Sequence, residues 1–133
     1  MESLLPLLLL ISITSVIGLL LRAKKGVIRK GTRVKISEGE FGGKYGSRLT
    51  ILQFSTTFCS ECRTAKAIVK DVVKDSKDIT YVEVDAESNL DLVRRVDIRS
   101  TPTTIFLDSK GFEIARAKGA PKRDQLIKAI KAI

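Results

Sequence analysis

The sequence predicts an α/β domain with a mixed central sheet covered on both faces, preceded by one membrane-crossing helix. Three observations carry this. After residue 48, apolar runs and stripes follow the order β-α-β-α-β-β-α, which gives a βαβ start and then a returning hairpin and helix. An uncharged run of 18 residues, Leu4–Leu21, lies far upstream of them. Between the two is a basic, glycine-containing stretch that reads as a poor core former. The expected organisation is an anchor over 1–21, a juxtamembrane linker over 22–48 and a folded domain over 49–133. A length of 133 residues suits one such domain with accessories.

The anchor comes first. As a helix, 18 residues rise about 27 Å, close to the roughly 30 Å of bilayer hydrocarbon. The run LLPLLLLISITSVIGLLL has no charge and only the small polar residues Ser12, Thr14 and Ser15. A cleaved signal peptide would need a basic leader, but Met1-Glu2-Ser3 precede the run; it would also need small residues at the cut, but Leu19-Leu20-Leu21-Arg22 follow. A core helix would show a polar face, and this run shows none. Seven basic residues and no acid then occupy Arg22–Lys35 (Arg22, Lys24, Lys25, Arg29, Lys30, Arg33, Lys35). Cations collect on the cytoplasmic flank, so the domain is expected inside the cell with the helix in lipid.

The linker carries Gly31, Gly39, Gly42, Gly43 and Gly46, with a short strand expected at Val34–Ile36. Leu49–Phe54 is a short apolar run of the kind that forms a buried strand. Cys59-Ser60-Glu61-Cys62 follows. Ala65, Ile68, Val69, Val72 and Val73 then recur at helical spacing, opposite Lys66, Lys70, Asp71 and Lys74. Ile79–Asp85 is rich in β-formers. Ser88 or Asn89 can cap a short helix over Leu90–Val96, with Leu92, Val93 and Val96 inward. Thr103–Leu107 and Phe112–Ala117 form a hairpin around Asp108-Ser109-Lys110-Gly111. Pro121 suits the first turn of a last helix that buries Leu126, Ile127 and Ile130.

Composition excludes several chemistries. The chain has no His, which removes Ser-His-Asp and Cys-His catalysis and any imidazole-ligated metal. Two Cys cannot alone complete a four-thiolate metal site, so no metal and no other cofactor is expected. The net charge of +9 comes mostly from the one patch, since residues 36–133 hold 17 basic and 14 acidic side chains. With aromatics at 5% and no recognition motif, no nucleic-acid partner is expected.

The chemistry-bearing feature is C-x-x-C between a strand and a helix. A cysteine at a helix N-terminus has its thiolate favoured by unpaired N–H groups and the positive dipole end. Cys62, one turn on, can attack a mixed disulfide formed at Cys59. This predicts an exposed, attacking Cys59 and a shielded, resolving Cys62. Half a shared zinc site, or an inert structural bridge, are the competing readings.

Over Leu49–Ile133 the chain resembles the thioredoxin family, on the strand Leu49–Phe54, the cysteine motif, Val84-Asp85, Thr101-Pro102-Thr103, and the glycines Gly111 and Gly119. The resemblance implies a three-layer thioredoxin-like fold. It also implies a cis Pro102 against the cysteines, and substrate binding at Phe58, Thr101 and Pro102. Four departures stand out. Phe58 replaces the usual Trp, and Ser60-Glu61 the usual Gly-Pro. Glu61 opposes a thiolate at Cys59, while Arg63 and Lys66 offset it. Gln53 takes the place of a buried acid and cannot accept a proton from Cys62, and Tyr81 stands where a Lys is usual. The expected function is a membrane-tethered thiol-disulfide oxidoreductase, monomeric, exchanging disulfides with proteins and served by an unidentified electron donor or acceptor. The alternative is a non-catalytic adaptor that binds partners in the groove near Pro102.

Overall fold

The computed structural model describes residues 4–133, so the first three residues of the expected anchor lie outside the described residues. Helix α1 spans Leu4–Ala23, about 30 Å of rise, and buries no side chain against the rest of the chain. Its hydroxyls are satisfied internally, Ser12 donating to the Leu8 carbonyl (2.8 Å) and Thr14 to that of Leu10 (3.0 Å). In water the unpacked apolar surface over Leu4–Leu21 is unfavourable, whereas in hydrocarbon it costs nothing.

The remaining elements are β1 (Ile28–Lys30), α2 (Glu38–Phe41), β2 (Leu49–Ser55), α3 (Ser60–Val73), β3 (Ile79–Asp85), α4 (Leu90–Arg95), β4 (Thr103–Leu107), β5 (Glu113–Lys118) and α5 (Arg123–Ala132). They form one sheet in the order β1-β5-β4-β2-β3. β2 runs parallel to β3 through the α3 crossover and antiparallel to β4, and β4–β5 is a hairpin. At the hairpin turn the Asp108 carboxylate accepts from the Lys110 and Phe112 N–H groups, and Gly111 takes φ +88°.

The alternation along β2 divides the core. Leu49 and Ile51 pack with Val69 and Val73 of α3 and Leu126 and Ile130 of α5. Leu52 and Phe54 face the other way, toward Val84, Leu92, Val96, Ile105 and Leu107. The expected α3 stripe is the one observed, with Ala65, Val69 and Val73 buried. Pro121 lies two residues before α5 rather than in its first turn, which begins at Arg123.

The linker assignment over 22–48 needs correcting. Ile28–Lys30 is an edge strand antiparallel to β5, with Ile28 opposite Ala117 and Lys30 opposite Ala115. Val34–Ile36 is not a strand and forms one bridge, Lys35 to Phe112. Ile36 and Phe41 are buried in the β2–α4 side of the core. Backbone pairing along an edge asks nothing of apolar content, which is why a basic stretch can supply it. The glycines also serve contact here. A Cβ on Gly31 would sit 2.6 Å from Glu113 Cγ and 2.9 Å from the Ala115 nitrogen.

One buried ionic cluster fastens this segment. Glu113 is fully buried and accepts from Arg116 Nε (2.6 Å) and from the Thr32 hydroxyl. Arg116 Nη2 also donates to the Val96 carbonyl (2.8 Å), which ties β5 to the end of α4. Burial alone would raise the Glu113 pKa; hydrogen bonds from Arg116 and Thr32 outweigh it and hold the carboxyl below its ordinary value.

Candidate active site

The fully buried strand β2 delivers the chain to residues 56–59, and α3 starts at once. Cys59 is the N-cap residue, in extended conformation (φ −141°, ψ 102°). Its sulfur accepts a hydrogen bond from the Cys62 backbone N–H (3.1 Å). Cys59 and Cys62 are disulfide-bonded, with Cα atoms 5.2 Å apart. The two are unequal, since Cys62 is 4% exposed whereas Cys59 is only partly covered. Negative charge developing on the Cys59 sulfur would meet a backbone donor and the positive end of a 14-residue helix.

Beneath Cys62 lies a neutral cluster. Gln53, fully buried, donates from Nε2 to the Cys62 carbonyl (2.9 Å) and to the Ser55 hydroxyl (3.0 Å). Its Oε1 accepts from the Tyr81 hydroxyl (2.9 Å). Burial, followed by the nearby Glu83 charge, pushes the Tyr81 pKa up, so the phenol stays protonated and remains a donor. The two departures read separately in the sequence, Gln53 and Tyr81, are thus one hydrogen-bonded unit. Gln53 fixes the α3 backbone at Cys62 without carrying charge.

The counter-charge of Glu61 comes from an unexpected place. Lys66 pairs with Glu83 (3.6 Å), while Lys25, just beyond α1, reaches Glu61 (3.6 Å). Phe58 projects into solvent, 97% exposed, one residue before Cys59. The Thr101–Pro102 peptide is cis, as the resemblance implied. Pro102 is buried, and its carbonyl accepts from the Gly119 N–H (2.8 Å). The Thr101 and Thr56 hydroxyls lie 3.4 Å apart, which links this loop to the exit of β2.

Thr101 and Glu61 also line one cavity of about 420 Å³, together with Leu21 at the end of α1 and the basic residues Lys24, Lys25, Arg29 and Lys30. Phe58 and Pro102 do not line it. In the sequence that basic stretch reads as a topology signal with some affinity for acidic lipid headgroups. The overlooked cue was Val27-Ile28, two β-formers bracketed by Gly26 and Gly31. Among the described residues no group of three or more His, Cys, Asp or Glu is gathered as a metal site would require.

With this geometry in view, the chain can be compared with known proteins. The family model described as Thioredoxin matches residues 34–132. "Thioredoxin H5" of Oryza sativa subsp. japonica is 32% identical over 77 residues, which is 58% of this chain and 56% of the rice protein. The thioredoxin of Ophiophagus hannah is 28% identical over 86 residues, 65% of this chain and 80% of its own length. Among solved structures, a thioredoxin-2 described as a component of malaria parasite protein secretion machinery superposes with TM-score 0.59 at 28% identity, covering 65% of this chain and 84% of that one. Thioredoxin NaTrxh from Nicotiana alata gives TM-score 0.58 at 26% identity, over 65% of this chain and 73% of that one.

Proposed function

This chain belongs to the thioredoxin family and is a thiol-disulfide oxidoreductase of thioredoxin-like α/β fold; from that premise we propose that it works on protein disulfides while held at a membrane by α1. Cys59 is the attacking sulfur and Cys62 the resolving one. In the reducing direction, the Cys59 thiolate attacks a substrate disulfide. A mixed disulfide forms, and one substrate thiolate leaves and takes a proton from solvent. Cys62 then loses its proton to water and attacks the Cys59 sulfur. The Cys59–Cys62 disulfide closes and the second substrate thiolate leaves. Two electrons have passed to the substrate, and a dithiol donor must return them before the next turnover. Run backwards, the same steps oxidise a substrate dithiol.

The observation that carries this reading is the asymmetry of the pair: a half-covered sulfur capping α3 beside a buried partner one turn on. Phe58, next to Cys59 in the chain, and the Thr101–Pro102 loop, joined to the exit of β2 at Thr56, supply its substrate contacts. Helix α1 spans the bilayer, and the cations over Arg22–Lys35 keep the domain on the cytoplasmic side.

The test is a trap. Cys62→Ser leaves Cys59 able to attack and unable to be resolved, so protein-sized mixed disulfides should accumulate on non-reducing gels and vanish when Cys59→Ser is added. No adduct at Cys59 would remove the reaction. Labelling by a membrane-impermeant thiol reagent in intact cells would overturn the cytoplasmic side.

A further inference from the structure

The cavity beside the cysteine motif has an unusual second wall. Gly26, three residues beyond α1, donates its N–H to the Lys118 carbonyl (2.6 Å) and takes φ +75°. A Cβ there would lie 2.1 Å from the Ala120 carbonyl oxygen, so the segment is pressed against the domain rather than hanging free. β1 continues that contact along β5, placing Arg29 opposite Arg116. The wall is therefore fixed architecture. Its charge is also unspent. Lys25 is taken by Glu61 and Arg116 by Glu113. Lys24, Arg29, Lys30 and Lys118 line the same cavity and form no ion pair among the described residues. Glu61 is the only acid in the lining among the described residues.

We propose that this cavity docks an acidic segment of the protein substrate, seated against Arg29, Lys30 and Lys118 while the adjoining disulfide lies over Cys59. The inference rests on the reaction proposed above and adds a substrate class to it. One point favours a polypeptide over a lipid headgroup. Thr101 and Glu61 line the cavity together with the basic residues and with Leu21 of α1, so an occupant reaching past the end of α1 lies beside the cysteine motif. Charge complementarity of this kind acts on encounter and register, and it weakens with salt.

The test uses the full chain in micelles of an uncharged detergent, reduced beforehand. Two synthetic peptides carry the same intramolecular disulfide, flanked by Glu-Glu-Asp in one and Gln-Gln-Asn in the other. The acidic peptide should be reduced with a single-turnover second-order rate constant about tenfold higher at roughly 25 mM salt, as expected from two or three exposed ion pairs, and the advantage should shrink below about twofold near 0.5 M. R29E/K30E should bring the ratio to about one or below. K118E, on a different strand, should lower it in the same direction. K128E, equal in sign but on α5 away from the cavity, should keep it. A wild-type ratio near one, or a ratio untouched by both R29E/K30E and K118E, overturns the proposal. So does a preference that disappears when the chain moves into phosphatidylglycerol nanodiscs, since lipid headgroups would then own the wall. Reduction of both peptides at equal rates removes the groove alone, whereas reduction of neither removes the reaction as well.

Discussion

Two buried polar clusters in this protein solve opposite problems. Under Cys62, Gln53, Tyr81 and Ser55 make a neutral network in which the Gln53 amide donates twice and accepts once. Behind β1, Glu113, Arg116 and Thr32 make an ionic one. Charge is kept where segments must be locked together, because a buried ion pair has fixed partners and tolerates no change of state. Neutrality is kept where a neighbouring sulfur must change its own charge, so the network beneath it need not follow. Chemistry and cohesion are thus assigned to different residues, and substitutions should separate them.

The largest expected effect is at the chemical end. Cys59→Ser should abolish protein-disulfide reduction, a loss of roughly a thousandfold or more, while reduced wild type and variant melt together by circular dichroism. A matching loss of stability would blur the division. Glu113→Ala is the converse. It strands the Arg116 guanidinium, 12% exposed, without its partner and should cost about 3–5 kcal/mol in urea unfolding, with the folded fraction still active. Gln53→Leu tests the boundary. It takes from the Tyr81 and Ser55 hydroxyls their Gln53 partner and from the Cys62 carbonyl its second donor, so about 1–3 kcal/mol should be lost, and the mixed disulfide should persist longer because Cys62 is less well placed.

A pH titration sharpens the same contrast. The Glu113 carboxyl is held below its ordinary value of 4.5, so its contribution is complete above that value and is lost as pH falls through the lower folded one. Wild type should therefore lose stability on acidification below about pH 4.5 more steeply than Glu113→Gln, as read from urea midpoints. The smallest effect belongs to Phe58→Ala. With Phe58 97% exposed, stability should not move, while kcat/KM for a protein disulfide should fall about fivefold through loss of apolar contact.

Most of this plan was legible in the residues, and the exceptions share a cause. Periodicity marked α3 and the strands β2 to β5, because each buries a stripe or face and so must repeat. The cysteine pair was legible from its place between strand and helix, and the cis Pro102 only from family resemblance. What stayed hidden was the segment from Gly26 to Gly46. β1 is three residues long with two cations, and it is held by backbone bonds that any sequence can make. Ile36 and Phe41 reach the core singly, with no period to announce them. Glycine abundance suggested slackness there, yet Gly31 is glycine because Glu113 and Ala115 leave no room for a Cβ. The Lys25–Glu61 pair joins positions 36 apart through that hidden strand, so no local pattern could foretell it.

The bond from Gly26 to Lys118 has a mechanical consequence. Only Lys24 and Lys25 separate the last residue of α1 from that clamp, a leash of about 10 Å at full stretch. Were α1 seated in hydrocarbon as proposed, the domain could not swivel away on a long arm. Under the membrane placement proposed for α1, the sulfur of Cys59 would patrol a thin shell next to the lipid, and disulfides farther out would be beyond its reach unless brought down to it.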